Sequence, residues 1–370
     1  MHDTIIVGAS AAGLATAASL RAAGKEYRLF DKAPHVGAAW RGHYQRLHLH
    51  TTKGLSGLPG FPMPSDFPRY PSREQMIAYL EEYARKLELR PELSVAVKRI
   101  RRGTDGWQVE TETERLTARN VVIATGNTRV PYQPAWPGQE SFQGPVLHSS
   151  TYVNGLPFRG QRVLVIGFGN SGGEIAIDLH ENEAKAELSV RSAVNVIPRD
   201  LFGLPILAVG LAMDLFPPRI ADALSAPLLR LSVGNIEKLG FRKLPYGPAV
   251  QINRHGKIPL LDIGTMKLIR DGHLMLRPGV ERFTRTGVVF SDDAAADFDA
   301  VVLATGFRPL VQEFLDCAEV LDEDGTPRTS GREAAPGLYF CGFHVSPTGM
   351  LREIAKEAKA IARAIARERR

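Results

Sequence analysis

Two glycine-rich hexapeptides stand about 160 residues apart, Gly8-Ala-Ser-Ala-Ala-Gly13 and Gly167-Phe-Gly-Asn-Ser-Gly172. Each follows a short apolar run and opens a helix-like one. Such a loop lets the chain turn tightly and approach a phosphate closely, and the helix behind it aims unpaired N–H groups and positive potential at an anion. The second loop has Gly167, Gly169 and Gly172 at the full G-x-G-x-x-G spacing, whereas Ser10 stands at the middle glycine position of the first. The chemistry this implies is the holding of two dinucleotide pyrophosphates in one chain.

The residue that closes each site separates the two loops. The strand after the first helix, Tyr27-Arg-Leu-Phe30, ends at Asp31, with Lys32 beside it. A carboxylate there accepts from both ribose hydroxyls of an unphosphorylated adenine dinucleotide. The corresponding strand after the second loop, Ala186-Glu-Leu-Ser-Val190, ends in Arg191-Ser192. An arginine there suits a 2′-phosphate, and so NADPH. A solvated surface cation is the other reading of Arg191, and Arg199 is a second candidate for the same phosphate. Asn170 and Ser171, at the start of the second helix, are candidate contacts to the same cofactor.

These loops need parallel sheets behind them. Thr4-Ile-Ile-Val7 and Gln161-Arg-Val-Leu-Val-Ile166 read as strands buried on both faces. Asn120-Val-Val-Ile-Ala-Thr-Gly126 and Ala300-Val-Val-Leu-Ala-Thr-Gly306 repeat one strand-then-Ala-Thr-Gly pattern, read as linkers between nested nucleotide domains. Thr125, Gly126, Thr305 and Gly306 are therefore candidate cofactor contacts, as are Val97 and Gly342. A hairpin is expected between Ser94–Val97 and Trp107–Thr111 across Thr104-Asp-Gly106, and a C-terminal helix from about Met350 to Ala366. The fold expected is α/β with two Rossmann-like dinucleotide-binding domains, one inserted into the other. The first domain takes 1–156, the inserted domain 157–300 with a helical insertion at about 200–256, and the first domain resumes at 301–370.

At 370 residues the chain can bury more than one core, and its net charge of +6 is modest. No dense basic run with interleaved aromatics supports nucleic-acid binding. Cys317 and Cys341 form no C-x-x-C, which removes a zinc ribbon and a thiol redox pair. The first strand begins by residue 4, so no signal peptide is expected and the protein reads as cytoplasmic. The most apolar stretch, residues 201–216, contains Pro205 and Asp214 and ends before Pro217-Pro218, too short for a membrane helix of ~20 residues. It reads as core or homodimer-interface packing, as the wall of a substrate channel, or as a membrane-surface contact.

Several linked motifs resemble the flavin-containing monooxygenases, and within them the YUCCA-type enzymes that oxidise indole-3-pyruvate. Phe142-Gln-Gly-Pro-Val-Leu-His-Ser-Ser-Thr-Tyr152 is similar to the family's F-x-G-x-x-x-H-x-x-x-Y sequence, and Gly37-Ala-Ala-Trp40 to its G-G-x-W. Residues 44–50, 66–71, 190–198 and 259–264 resemble the YUCCA group, and the likeness runs nearly end to end. It implies FAD in the first site, NADPH in the second and O2 as co-substrate, with a C4a-(hydro)peroxyflavin oxidising a small organic molecule. Oxidative decarboxylation of an aromatic α-keto acid is the first expectation; heteroatom oxygenation or Baeyer–Villiger insertion comes second, and a two-dinucleotide reductase third. In the segment where heteroatom-oxidising relatives carry an Asn three residues before a Lys, this chain has His50 and Lys53. With Asn170, these are the catalytic candidates; His50 is read either as tuning a proton near neutral pH or as a packed or solvent-facing residue. His148 is read as serving the turn into the second domain. Phe343 stands where many flavoproteins have an Asp after the last glycine.

Overall fold

The computed structural model describes residues 1–213 and 215–367; Asp214 of the apolar stretch and the last three residues of the 301–370 segment lie outside the described residues. The chain divides into two compact units. One comprises Met1–Gly42, Thr51–Val130 and Phe307–Arg370, the other His43–His50 and Pro131–Gly306.

The first unit is built on an eight-stranded sheet. Strand His2–Val7 lies between Tyr27–Phe30 and Arg115–Ile123, parallel to both, and Leu338–Phe340 adds in parallel along Arg115–Ile123. Continuous apolar runs form these strands because both faces are covered. Ile5, Val7, Phe30, Val121, Ile123 and Phe340 belong to one buried cluster. The register aligns the strand ends: Val7 lies opposite Phe30 and Ile123, and Phe340 opposite Ile123. The chain therefore leaves all four strands at one edge, delivering Gly8, Asp31, Ala124 and Cys341 together. Helix Ala11–Ala22 packs against the C-terminal helix Met350–Arg367.

The hairpin differs from expectation. Its strands are Arg99–Arg102 and Trp107–Glu110, antiparallel, with Arg102 opposite Trp107. Residues 94–97 form no strand. Arg99-Ile-Arg-Arg102 carries a single apolar residue, but Ile100 is fully buried between exposed arginines, and that alternation fits a half-buried strand better than the more apolar run before it.

The second unit repeats the plan with five parallel strands in the order Met275–Arg277, Lys185–Ser189, Arg162–Ile166, Ala300–Leu303, Val146–His148. Ile166 lies opposite Ser189 and Leu303, and Leu303 opposite His148, so Gly167, Val190, Ala304 and Ser149 leave from one edge. Because Val146–His148 pairs into this sheet, the seams between units fall at 130/131 and 306/307 rather than at 156/157 and 300/301. The expected helical insertion contains helices Ile206–Met213, Pro218–Val233 and Pro248–His255.

Candidate functional site

In the first unit the glycine loop is shaped by its neighbours. A side chain on Gly8 would place its Cβ 2.6 Å from the Ala124 carbonyl oxygen, and one on Gly13 1.7 Å from the Gly8 oxygen. Nothing larger than glycine lets the helix start this close to the strand. Ser10 is the N-cap but makes no side-chain cap bond, so the N–H groups of the first turn face outward with no internal acceptor. Asp31 is drawn onto the loop: one carboxylate oxygen accepts from Ala9 N–H at 2.6 Å and the other from Ala33 N–H at 2.8 Å. Each oxygen keeps a lone pair for a hydroxyl donor. Gly37, at the head of the short helix Ala38–Arg41 that carries Trp40, donates to the Ala9 carbonyl at 3.1 Å. Lys32 is exposed, and Val97 is partly buried in the loop that follows Val95, whose N–H bonds the Asp31 carbonyl.

The last contributors arrive from the other strand ends. Thr125 and Gly126 follow Ala124 directly, and Asn127 donates to the Phe343 carbonyl at 3.2 Å. Gly342 lies so close to the first helix that an added Cβ would sit 2.9 Å from Ala12 Cβ, and its N–H donates to Glu357 at 2.6 Å. Thr125 Oγ1 and Asn127 Oδ1 are buried with no partner in the protein. Two orphaned polar atoms beside a bare helix N-terminus and a ribose-type carboxylate are what a bound dinucleotide would satisfy, and these residues fit FAD.

The second loop repeats the construction. Added Cβ atoms at Gly167 and Gly172 would lie 2.5 Å from the Ala304 oxygen and 2.1 Å from the Gly167 oxygen, whereas one at Gly169 meets nothing within 4 Å. That open space stands over the N-terminus of helix Asn170–Glu181, where a pyrophosphate would rest. The two Ala-Thr-Gly segments thus do more than link domains: each alanine carbonyl leans over the first glycine of its own loop. Asn170 Oδ1 accepts from Leu261 N–H at 2.8 Å, which leaves its NH2 group for a ligand. Ser171 bonds the Tyr44 hydroxyl. Thr305 Oγ1 donates to the Tyr132 carbonyl, and the Gly306 carbonyl accepts from Tyr132 N–H.

Arg191 and Ser192 are exposed at the end of the second strand, as a phosphate contact requires. A cation the sequence did not single out joins them: the Arg242 guanidinium donates to the Arg191 carbonyl. Arg199, the earlier second candidate, instead pairs with Asp200 at 3.3 Å.

Residues 43–50 count with the second unit although first-unit sequence flanks them. Arg46 grips Glu181 through two bonds of 2.8 and 2.9 Å, and Gln45 N–H donates to the Val153 carbonyl. At the end of this strap His50 Nε2 donates to Glu174 Oε1 at 2.7 Å. Glu174 is 2% exposed and sits one turn into the helix behind the loop. His50 Nδ1 and Glu174 Oε2 are both buried without partners. Nearby, burial first and then the Glu174 charge raise the Tyr44 hydroxyl pKa well above its ordinary value. The structure does not pair His50 with Lys53. Lys53 belongs to the first unit, where its ammonium donates to the Ser65 and Phe67 carbonyls at 2.5 Å, so it clamps a loop. His148 is buried; Nδ1 accepts from Ser150 N–H at 3.1 Å, so Nε2 carries the proton and donates to the Gly306 carbonyl at 3.0 Å. Burial lowers its pKa, which keeps the ring neutral.

Two units, each with a glycine loop at the ends of parallel strands and an ionisable residue of opposite charge, Asp31 or Arg191, at the end of the next strand, have the build of an enzyme that binds two dinucleotides. Residues 2–322 match the flavin-binding monooxygenase-like family. The chain is 37% identical over 384 residues to the indole-3-pyruvate monooxygenase YUCCA8 of Oryza sativa subsp. japonica, covering 98% of this chain and 90% of that protein. It is 36% identical over 353 residues to the probable indole-3-pyruvate monooxygenase YUCCA1 of Arabidopsis thaliana, covering 93% and 85%. Among solved structures, the flavin-containing monooxygenase of Stenotrophomonas maltophilia superposes with a TM-score of 0.74 at 25% identity, covering 99% of this chain and 98% of that one. Cyclohexanone monooxygenase shares the fold, with a TM-score of 0.79 at 18% identity over 98% and 87% of the two chains. The chain belongs to the flavin-binding monooxygenase-like family. It is an FAD enzyme that takes its electrons from NADPH and uses O2.

Proposed function

We propose that the first unit holds FAD, the second holds NADPH, and the substrate is an aromatic α-keto acid of the indole-3-pyruvate kind. The observation that carries the substrate class is the end-to-end likeness to indole-3-pyruvate monooxygenases, 36–37% over more than nine-tenths of the chain. The cofactor assignment is supported by the charge at each ribose position, Asp31 against Arg191 with Arg242. The overall reaction balances as keto acid, O2, NADPH and a proton giving the carboxylic acid one carbon shorter, CO2, NADP+ and water. Bound FAD supplies the hydride acceptor and the activation of O2.

The residues of this chain bind and orient. In this reading the helix at Ala11 and the helix at Asn170 each stabilise a pyrophosphate, and Asp31 accepts from the FAD ribose. Arg191 and Arg242 neutralise the 2′-phosphate, and the Asn170 amide holds the nucleotide against the loop. The His50–Glu174 pair fixes the imidazole ring through the Nε2–Oε1 bond. Lys53 has no chemical part.

In this reading the enzyme works in the cytoplasm, which the two buried thiols Cys317 and Cys341, joined in no disulfide, support. A homodimer, one of the readings of the apolar stretch, is tested by light scattering. The substrate reading is tested by supplying indole-3-pyruvate, phenylpyruvate, a thioether and a cyclic ketone to the enzyme with NADPH. The expected result is keto-acid-dependent NADPH oxidation with matching yields of the shortened acid and CO2. Sulfoxide or lactone as the efficient product, with keto acids inert, overturns it.

A further inference from the structure

Helix Pro218–Val233 is amphipathic and mounted with its apolar side outward. Its inner side is fixed by Asp222, whose carboxylate accepts from Ala249 N–H at 2.7 Å and Val250 N–H at 3.1 Å and so caps helix Pro248–His255. Ala221 and Val233 are the buried residues of the outward-mounted helix. At about 100° per residue, Ile220, Leu224 and Leu231 lie opposite Asp222, with Leu228 about 60° to one side. All four are exposed, Leu231 by 73%. The helix before it, Ile206–Met213, is wholly apolar and has no buried residue. Leu215 between them is 84% exposed, and Phe202, in the hairpin preceding both helices, is 67% exposed. Of the 14 exposed large apolar side chains among the described residues, eight fall between 202 and 231. A concentration of this kind marks a contact surface, since scattered exposed apolar residues are the ordinary condition.

The charge around the patch selects what it contacts. Residues 199–258 carry eight Lys and Arg against four Asp and Glu, a net +4 of the chain's +6. Arg219 and Arg230 are exposed and project from one flank of the apolar stripe, where their stems can lie along it while their guanidinium groups reach outward. No helix among the described residues is long and apolar enough to cross a membrane, and Pro217-Pro218 breaks the run. A second copy of the chain would bring two basic rims together in a self-complementary contact, where like charges repel. An apolar stripe parallel to the protein surface, with Arg219 and Arg230 along one flank, matches an anionic lipid surface instead.

We propose that residues 202–231 dock the enzyme in the plane of an anionic bilayer surface, with the apolar stripe entering the headgroup boundary and Arg219 and Arg230 meeting the lipid phosphates. The surface lies entirely within the second unit and does not depend on the substrate reading.

The test uses the full-length FAD-loaded enzyme and sedimentation with vesicles of phosphatidylcholine alone or with about one-third phosphatidylglycerol. The protein is expected to partition onto the anionic vesicles at least tenfold better than onto the neutral ones, and to be released by high salt. Leu224→Glu/Leu231→Glu should abolish binding. Both side chains are exposed, so flavin content and melting temperature should hold. Arg219→Gln/Arg230→Gln leaves the stripe intact and should remove most of the preference for anionic lipid. In Leu231→Trp, indole emission should shift to the blue when anionic vesicles are added. Absence of binding to either vesicle overturns the proposal. So does a dimer abolished by Leu224→Glu/Leu231→Glu in protein that ignores lipid, which would give the face to a second copy. A raised KM for substrate with no vesicle binding would make the face a substrate wall and would also overturn it.

Discussion

Removal of the Arg191 guanidinium tests the proposed division of labour between the two loops. The side chain is exposed, and its stem lies across Gly279, where an added Cβ would fall 3.0 Å from Arg191 Cγ. That contact restricts the rotamers and directs the guanidinium outward from the strand end. A charge-assisted bond to phosphate contributes about 1.5–3 kcal/mol, and exposure to solvent pulls the figure toward the lower end. At 1.4 kcal/mol per tenfold, Arg191→Ala should weaken NADP+ binding by roughly 10- to 50-fold. NAD+ lacks the 2′-phosphate, so its affinity should stay within about twofold by the same arithmetic. Isothermal titration of the oxidised FAD-loaded enzyme with each nucleotide measures both without turnover. Arg242→Ala should reproduce part of the loss, and Arg191→Lys should recover part of it, since lysine keeps the charge without the fork. An equal loss for NAD+ and NADP+ would make Arg191 a structural residue; no loss for either would make it a solvated surface cation. Both outcomes refute the assignment.

Gly169→Ala should leave the melting temperature nearly unchanged, because the new methyl meets nothing within 4 Å, yet weaken NADP+ binding about tenfold or more by filling the phosphate space. Gly172→Ala should destabilise the fold by several kcal/mol, at least ~2, because its Cβ would stand 2.1 Å from the Gly167 oxygen. Normal nucleotide affinity in Gly169→Ala would place the phosphate elsewhere. His50→Asn leaves the buried Glu174 carboxyl without its ring partner and should cost about 3 kcal/mol, with Glu174→Gln relieving much of that loss in the double variant. Strict additivity in thermal melts would show that the pair is not coupled. Burial pushes the Glu357 carboxyl up to about 7 from an ordinary 4.5, against the Gly342 N–H and the Ser330 and Cys341 side chains that favour its ionised form. Between those values the folded state holds the proton more tightly, so this group lowers stability as pH rises from about 4.5 to about 7, by up to ~3 kcal/mol. Glu357→Gln should therefore raise the melting temperature at pH 8 and change little near pH 4.5; equal effects at both pH values would exclude a buried titrating carboxyl.

What could be read in advance was whatever lies within one strand–loop–helix–strand unit. Gly8 to Asp31 and Gly167 to Arg191 are such units, and their spacing is set by the reach of a helix and the edge of a sheet, so residue type and interval suffice. The residues that escaped are those whose partners lie far off. Glu174 reads as an ordinary position on a helix; its meaning comes from His50, 124 residues earlier, on a strap that leaves the surrounding sequence to join the other unit. Arg242 meets Arg191 from a segment with no recognisable pattern of its own. Lys53 shows the converse: its spacing from His50 is short in sequence, yet the chain passes from one unit to the other between them, and the Lys53 ammonium is held by the Ser65 and Phe67 carbonyls. The Ala-Thr-Gly recurrence lay between these extremes. The repetition was visible, while its physical cause, a carbonyl held over the first glycine of a loop more than a hundred residues away in sequence, required both strands to be in register. The apolar stretch at 201–216 shows the same limit in another form. Its hydrophobicity was plain, but which side of the following helix is held inward shows only in the bonds Asp222 makes to Ala249 and Val250, 27 and 28 residues further on.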